Sequence, residues 1–129
     1  MNTKNEIIEI VNRETWAWDN QNVEQLLSIF HEEMVWPWPP DSKSHDPMTW
    51  VLEQGKFNYD RWSEIYNNLF ENYNLVHNKR EIKKIEVSKE NDGAFAVVDI
   101  DTLWRNSVTN KDFLWKGRTC KIYSKTVKG

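Results

Sequence analysis

The stretch Ala94–Trp104, Ala-Phe-Ala-Val-Val-Asp-Ile-Asp-Thr-Leu-Trp, constrains the fold of this chain more than any other. Side chains alternate along a strand, so Ala94, Ala96, Val98, Ile100, Thr102 and Trp104 share one face. Phe95, Val97, Asp99, Asp101 and Leu103 share the other. The first face is apolar or neutral, and the second carries two carboxylates inside an apolar frame. A strand apolar on both faces is normally covered on both, so the aspartates are expected to avoid bulk water. This predicts a central strand that floors a pocket on its aspartate side.

The rest of the chain supplies the elements around such a strand. A length of 129 residues predicts a single domain (1–129) with a real core. Charged residues make up 29% and mean hydropathy is −0.80, yet 13% of residues are aromatic and eight are Trp. Large rings bury enough apolar area to offset chain entropy, which excludes disorder.

Thr3-x-x-Glu6 is a capping-box pattern opening a first helix. Ile7, Ile8, Ile10, Val11, Ala17 and Trp18 fall on one helical arc, with Trp16 opposite. Glu14 falls within the apolar arc, either as a snorkelling rim residue or looking into a cavity; the rim reading is the more ordinary. Asp19–Asn22 breaks the helix and Asn22-x-x-Gln25 caps a second, with Val23, Leu26, Leu27 and Phe30 on one face. Met34, Trp36 and Trp38 then alternate as a short edge strand stiffened by Pro37, Pro39 and Pro40. Asp46-Pro47 predicts a short helix over Met48–Gln54 that ends at Gly55. Asn58 can cap a strongly amphipathic helix carrying Tyr59, Trp62, Tyr66, Leu69, Phe70 and Tyr73, expected to lie across the sheet.

From Leu75 the period becomes two. Strands are expected at Leu75–Ser88, Ala94–Arg105 and Phe113–Ser124, joined by turns at Asn91-Asp92-Gly93 and Asn106–Asp112. Consecutive strands with such turns are antiparallel, so the class is α+β. Thr126–Gly129 reads like a turn into a further strand that does not follow.

Net charge is −3 but unevenly placed. Residues 1–76 hold 5 Lys/Arg against 13 Asp/Glu, and residues 77–129 hold 12 against 7. Basic residues of the second half alternate with acidic ones and form no stripe, which argues against a nucleic-acid partner. No run approaches a membrane span and no signal segment opens the chain. The lone Cys120 cannot form an internal disulfide and fits a cytoplasmic setting; on a face with Arg118 and Ile122 it is expected to pack rather than react.

Asp99 and Asp101, about 6–7 Å apart at Cα, would repel in a partly dry site, so one could keep its proton. Such a group could be a general acid or base, or bind an amine. Equally, Lys121, His77 or Arg118 could pair with them structurally. His77, placed by parity with Leu75, Lys79 and Glu81, could shuttle a proton or simply satisfy its neighbours. His31-Glu32-Glu33 and His45-Asp46 lack metal-ligand spacing, and no Gly-rich phosphate loop or Gly-x-Ser-x-Gly occurs, so neither metal nor cofactor is expected.

The order of two helices, a Trp/Pro strand, an aromatic helix and a meander resembles the nuclear transport factor 2-like superfamily. Trp16-Ala17-Trp18-Asp19-Asn20, Val76-His77 and Asp92–Val97 carry the likeness. The nearest branches are SnoaL-like proteins and bacterial relatives of the calcium/calmodulin-dependent protein kinase II association domain. The resemblance implies a cone, with helices closing a strongly curved antiparallel sheet around a pocket, and dimerisation through the outer sheet surface. The kinase branch carries arginines on its sheet strands; Asp101 and Lys121 fall near two such positions, the first with opposite charge. The acid–tyrosine set of the steroid-isomerase branch is not matched, because Trp36-Pro37-Trp38 occupies its region. A strand missing after the last would leave a truncated chain or an edge for a partner to cover.

The resemblance turns Asp99 and Asp101 inward and leaves Ala94, Ala96, Val98, Ile100 and Trp104 outward as a homodimer surface. A small-molecule-binding domain is therefore expected, with Trp36, Trp38, Trp62, Trp104 and Trp115 as pocket walls and Asp99, Asp101, His77 and Lys121 as anchors. The alternatives are a small isomerase, dehydratase or hydrolase using Asp99, Asp101 or His77 in catalysis, and a non-catalytic assembly module.

Overall fold

A computed structural model describes residues 2–34, 46–49, 51 and 56–126. Helix α1 spans Thr3–Asp19, α2 Val23–Leu27 and α3 Tyr59–Asn72, with a 3-10 turn at Pro47–Thr49. Strands β1 (Tyr73–Val87), β2 (Gly93–Asn106) and β3 (Asp112–Ser124) form an antiparallel sheet in the order β1-β2-β3. The α+β class, the meander and the central position of β2 all follow the sequence pattern. Trp36 and Trp38, with the edge strand expected there, lie outside the described residues, as does most of the helix expected over Met48–Gln54.

Side-chain caps set the helix starts. Asn22 accepts from the Gln25 amide and Asn58 from the Arg61 amide, as expected for α2 and α3. On α1 the cap is Asn2, which accepts from Asn5, so the helix opens one residue before the expected Thr3 box. Gln21 at φ 49° makes the left-handed turn between α1 and α2. At the first hairpin Asn91 takes φ 60°, and the Ser88 hydroxyl accepts from the Asp92 and Gly93 amides. Among the described residues no helix is long and apolar enough to cross a membrane.

The helices cover the face of β2 that carries Ala96, Val98, Thr102 and Trp104, all fully buried. Ile7 and Val11 of α1 pack on Ala96 and Val98, with Ile82, Ile85, Ala94 and Tyr123 around them. Small alanines on β2 leave the room these branched side chains fill. Trp104 joins Ala17, Trp18 and Leu26 in a second cluster, ringed by Phe30, Tyr66, Leu69, Phe70, Tyr73, Leu75 and Trp115. Helix α1 thus makes the broad contact with the sheet, and α3, expected to do so, covers its Trp104 end.

This reverses the expected orientation. Asp99 and Asp101 lie on the face that no described helix covers, and the alanine row is inside. Apolar area decides the direction: the row ending in Trp104 has more of it to bury, whereas two carboxylates facing inward would need compensating charges at high desolvation cost. On the open face they find partners without leaving water.

Candidate functional site

The register defines both faces. Two slips of one residue in β1, between Leu75 and His77 and between Ile82 and Lys84, are bulges. The first puts Leu75 on the covered face and His77 on the open one, correcting the parity that grouped them. Beyond it Asn78, Arg80 and Ile82 sit beside Thr102, Ile100 and Val98 on the covered side. On β3 the covered side carries Trp115, Gly117, Thr119, Lys121 and Tyr123.

The covered side holds a buried ionic cluster. Glu14, one turn before Trp18 on α1, accepts from Arg80 Nη1 at 3.0 Å, from Lys121 Nζ at 3.0–3.1 Å and from Trp18 Nε1 at 3.2 Å. Side-chain exposure is 11% for Glu14, 4% for Arg80 and 19% for Lys121. Burial works to raise the Glu14 pKa, but Lys121 and Arg80 together outweigh it and hold the carboxyl below its ordinary 4.5. Arg80 also donates from Nε to Asn78, which accepts from Thr102 and donates to Asp19. The guanidinium lies 5.6 Å from the Trp18 ring centroid. Glu14 therefore looks inward; the rim reading fails because two cations meet it there.

Tyrosines complete the cluster. Burial and the Glu14 charge push Tyr66 up to about 12, and the same two causes raise Tyr123 further. The Tyr123 hydroxyl is buried and has no hydrogen-bond partner among the described residues. Both stay neutral, so both can donate at any physiological pH.

The covered side is closed over β2 and open over β3. Ala96, Val98, Thr102 and Trp104 are sealed, while their neighbours Lys121, Thr119 and Trp115 are only half-buried. Gly117, between Trp115 and Thr119, has extended backbone, and no atom of a described residue lies within 4 Å of where a Cβ would stand. Gly117 is exposed, so this gap is open to solvent, and in register it stands across Ile100 from Arg80. Trp115, edge-on to Trp18 at 5.7 Å and to Trp104 at 5.5 Å, walls it.

Of the residues expected to form the site, Trp104, Trp115 and Lys121 share this side. Trp62 packs instead against Phe30 and Phe57, at 5.3 and 5.1 Å. On the open face Asp99 is clamped by Arg118 at 2.7 and 3.1 Å, and Asp101 accepts from His77 Nε2 at 2.8 Å. The Arg118 hydrogen bonds hold Asp99 below the usual carboxylate range, and the His77 hydrogen bond does the same for Asp101. Neither keeps a proton near neutrality, contrary to the catalytic expectation. The groove over them, about 560 Å³, is open to solvent and edged by Lys79, Glu81, Lys116 and Arg118. Cys120 is exposed there, opposite Val97, rather than packed.

The sequence reading missed Arg80, Tyr66 and Tyr123. Lys121–Tyr123 parity could have found Tyr123, and Tyr66 lies on the same stripe as Trp62. Arg80 was hidden by the bulge at Val76, which changes side-chain parity without a glycine or proline to mark it.

No protein-family model matches the sequence, and no curated protein does. In three dimensions the chain is similar to a ketosteroid isomerase-like protein from Erwinia carotovora atroseptica. The TM-score is 0.69 at 16% identity, covering 95% of this chain and 84% of that one.

Proposed function

The chain has the nuclear transport factor 2-like fold, and on that premise we propose that it is a small-molecule-binding domain whose site lies on the covered side of β3. One observation carries the reading: a buried carboxylate holds two cations on the covered side of the sheet, next to the stretch of β3 that no described helix seals. Replacing a buried ionic cluster with apolar side chains is often neutral or stabilising, so stability alone gives little reason for one at this place. Half-buried Trp115 supplies a flat apolar wall, and Lys121, the more exposed of the two cations, the polar group that orients a ligand. Binding is favoured over catalysis because Glu14, Asp99 and Asp101 are all held below their ordinary pKa, which makes each a weak base.

Filling the gap tests this reading. Gly117→Leu is expected to fold as stably as the parent, since its side chain enters open space on an extended strand. Indole, benzamide and benzoate would be titrated against both proteins by tryptophan fluorescence. Saturable quenching by at least one probe in the parent, weakened at least about tenfold in the variant, is expected. Equal responses in both proteins would overturn the reading.

We also propose a homodimer through the open face. Phe95, Leu114 and Ile122 are exposed there, Ile122 at 82%. Acidic Asp99 and Asp101 on the middle strand are flanked by Lys79, Lys116 and Arg118, a pattern that can meet a copy of itself. Light scattering is expected to give a dimer at micromolar concentration and a monomer for Ile122→Glu. A monomeric parent would refute the interface. The exposed thiol of Cys120 fits a reducing compartment, and we place the protein in the cytoplasm.

A further inference from the structure

Strand β3 ends the sheet, and its outer edge has no strand beside it among the described residues. The ladder fixes which main-chain groups point there. The Asn106 N–H donates to the Lys111 carbonyl and the Lys125 N–H to the Asp92 carbonyl, so bonded pairs bracket the β2–β3 ladder at both ends. Such pairs recur at every second residue, and the register runs from Asp112 to Ser124 without a slip. Odd-numbered residues of β3 therefore bond to β2, and the even-numbered ones from Asp112 to Ser124 turn their N–H and C=O outward. Every one of those even-numbered residues is exposed. The other edge of the sheet is guarded: β1 has two bulges and a run of charges over Lys79–Glu86, devices that discourage pairing. Strand β3 has no bulge.

The segment Phe113-Leu114-Trp115-Lys116-Gly117-Arg118-Thr119-Cys120-Lys121-Ile122-Tyr123 has an aromatic and an aliphatic residue at each end, arranged symmetrically about Arg118. An antiparallel second copy centred on Arg118 sets Leu114 opposite Ile122 and Phe113 opposite Tyr123. It also sets even-numbered residues against even-numbered ones, so outward amides meet outward carbonyls. Leu114 and Ile122, 55% and 82% exposed, would cover each other. Charge selects this register. Sliding the copy two residues one way puts Lys116 opposite Arg118. Sliding it the other way puts Lys116 opposite Ile122 and Phe113 opposite Lys125. In the centred register the one pair of like charges within β3 is Arg118 with itself. Each Arg118 is held by Asp99 of its own β2, at 2.7 and 3.1 Å, which answers its charge and draws it away from the edge.

We propose that two copies of this chain join edge to edge, β3 against β3 antiparallel about Arg118, so that two three-stranded sheets become one of six. This goes beyond the open-face homodimer and does not depend on it, because the rim main chain makes the contact. A strand pair buries little side-chain area, and its hydrogen bonds replace bonds to water, so the contact is weaker than the open-face one.

Amide hydrogen exchange of the intact chain, read residue by residue by nuclear magnetic resonance, tests the edge directly. Exchange at Leu114, Lys116, Arg118, Cys120 and Ile122 is expected to slow about tenfold between about 10 and about 500 μM protein. Trp115, Gly117 and Thr119 should be protected at both concentrations. Phe95→Glu, which puts a charge on the open face away from the rim, should leave the slowing intact. Lys116→Pro, which removes one outward amide and no bond to β2, should abolish it with the circular dichroism spectrum unchanged, and Lys116→Ala should keep it. Even-numbered amides protected equally at both concentrations would mean that the chain covers its own edge, and equally rapid exchange would leave the edge bare. Either result overturns the proposal, and so does a slowing that vanishes in Phe95→Glu.

Discussion

Replacing Glu14 by glutamine is expected to lower the free energy of unfolding by about 3 kcal/mol, since removing one partner of a buried ionic group strands the other. Here two are stranded. Arg80, 4% exposed, and Lys121 would face each other across a neutral amide, and Trp18 Nε1 would compete for the single remaining acceptor. Lys121→Met is expected to cost less than about 1 kcal/mol, because Lys121 is the more exposed cation and Glu14 keeps Arg80. Urea unfolding of the three proteins at pH 7 decides it; equal losses from the two substitutions would contradict a cluster centred on Glu14. Acid gives an independent reading. Glu14 is held below its ordinary 4.5 in the folded chain, so its contribution is fully present above that value. It fades as pH falls through the lower folded value. The parent should therefore lose stability below about pH 4.5 more steeply than Glu14→Gln, and parallel acid limbs would rule this out.

Trp104→Ala is expected to cost about 4 kcal/mol, in the range for deleting a buried large aromatic. Trp104 is fully buried, stacks with Phe70 at 6.0 Å and meets Trp18 and Trp115 edge-on. Its removal opens a cavity shared by α1, α3 and all three strands. Trp16→Ala on the opposite side of α1, half exposed, should change stability by no more than about 0.5 kcal/mol. Trp104→Phe should cost less than its lost volume suggests, because the buried indole N–H has no partner among the described residues and phenylalanine removes it. Chemical denaturation orders the three variants, and near-ultraviolet circular dichroism of Trp104→Phe reports whether the ring cluster survives. A Trp104→Ala loss no larger than that of Trp16→Ala would dismiss this cluster as the core.

Much of this architecture was legible in one dimension because local chemistry enforces it. Asn22 and Asn58 sit one residue before apolar stripes, and each caps the helix that follows. Asn91-Asp92-Gly93 supplies backbone conformations that few other residues tolerate, which set the hairpin and the β1–β2 pairing. Trp16 outward with Ala17 and Trp18 inward follows from helical spacing alone. The candidate site was legible in fragments: Lys121, Trp104 and Trp115 were singled out, and Glu14 was noticed and set aside.

Alternation alone fixes which residues of β2 lie together, because it is a property of any strand. Which of the two sets faces the helices emerges once the chain is folded. Both sets contain apolar residues, and the choice turns on a comparison between surfaces far apart in the chain: Ile7, Val11 and Trp18 against the alanine row and Trp104, or Arg118 and His77 against the aspartates. Apolar area won the inner side, and charges able to pair in water took the outer. The bulge at Val76 then turned Arg80 inward to Glu14, a pairing 66 residues apart that no local pattern announces.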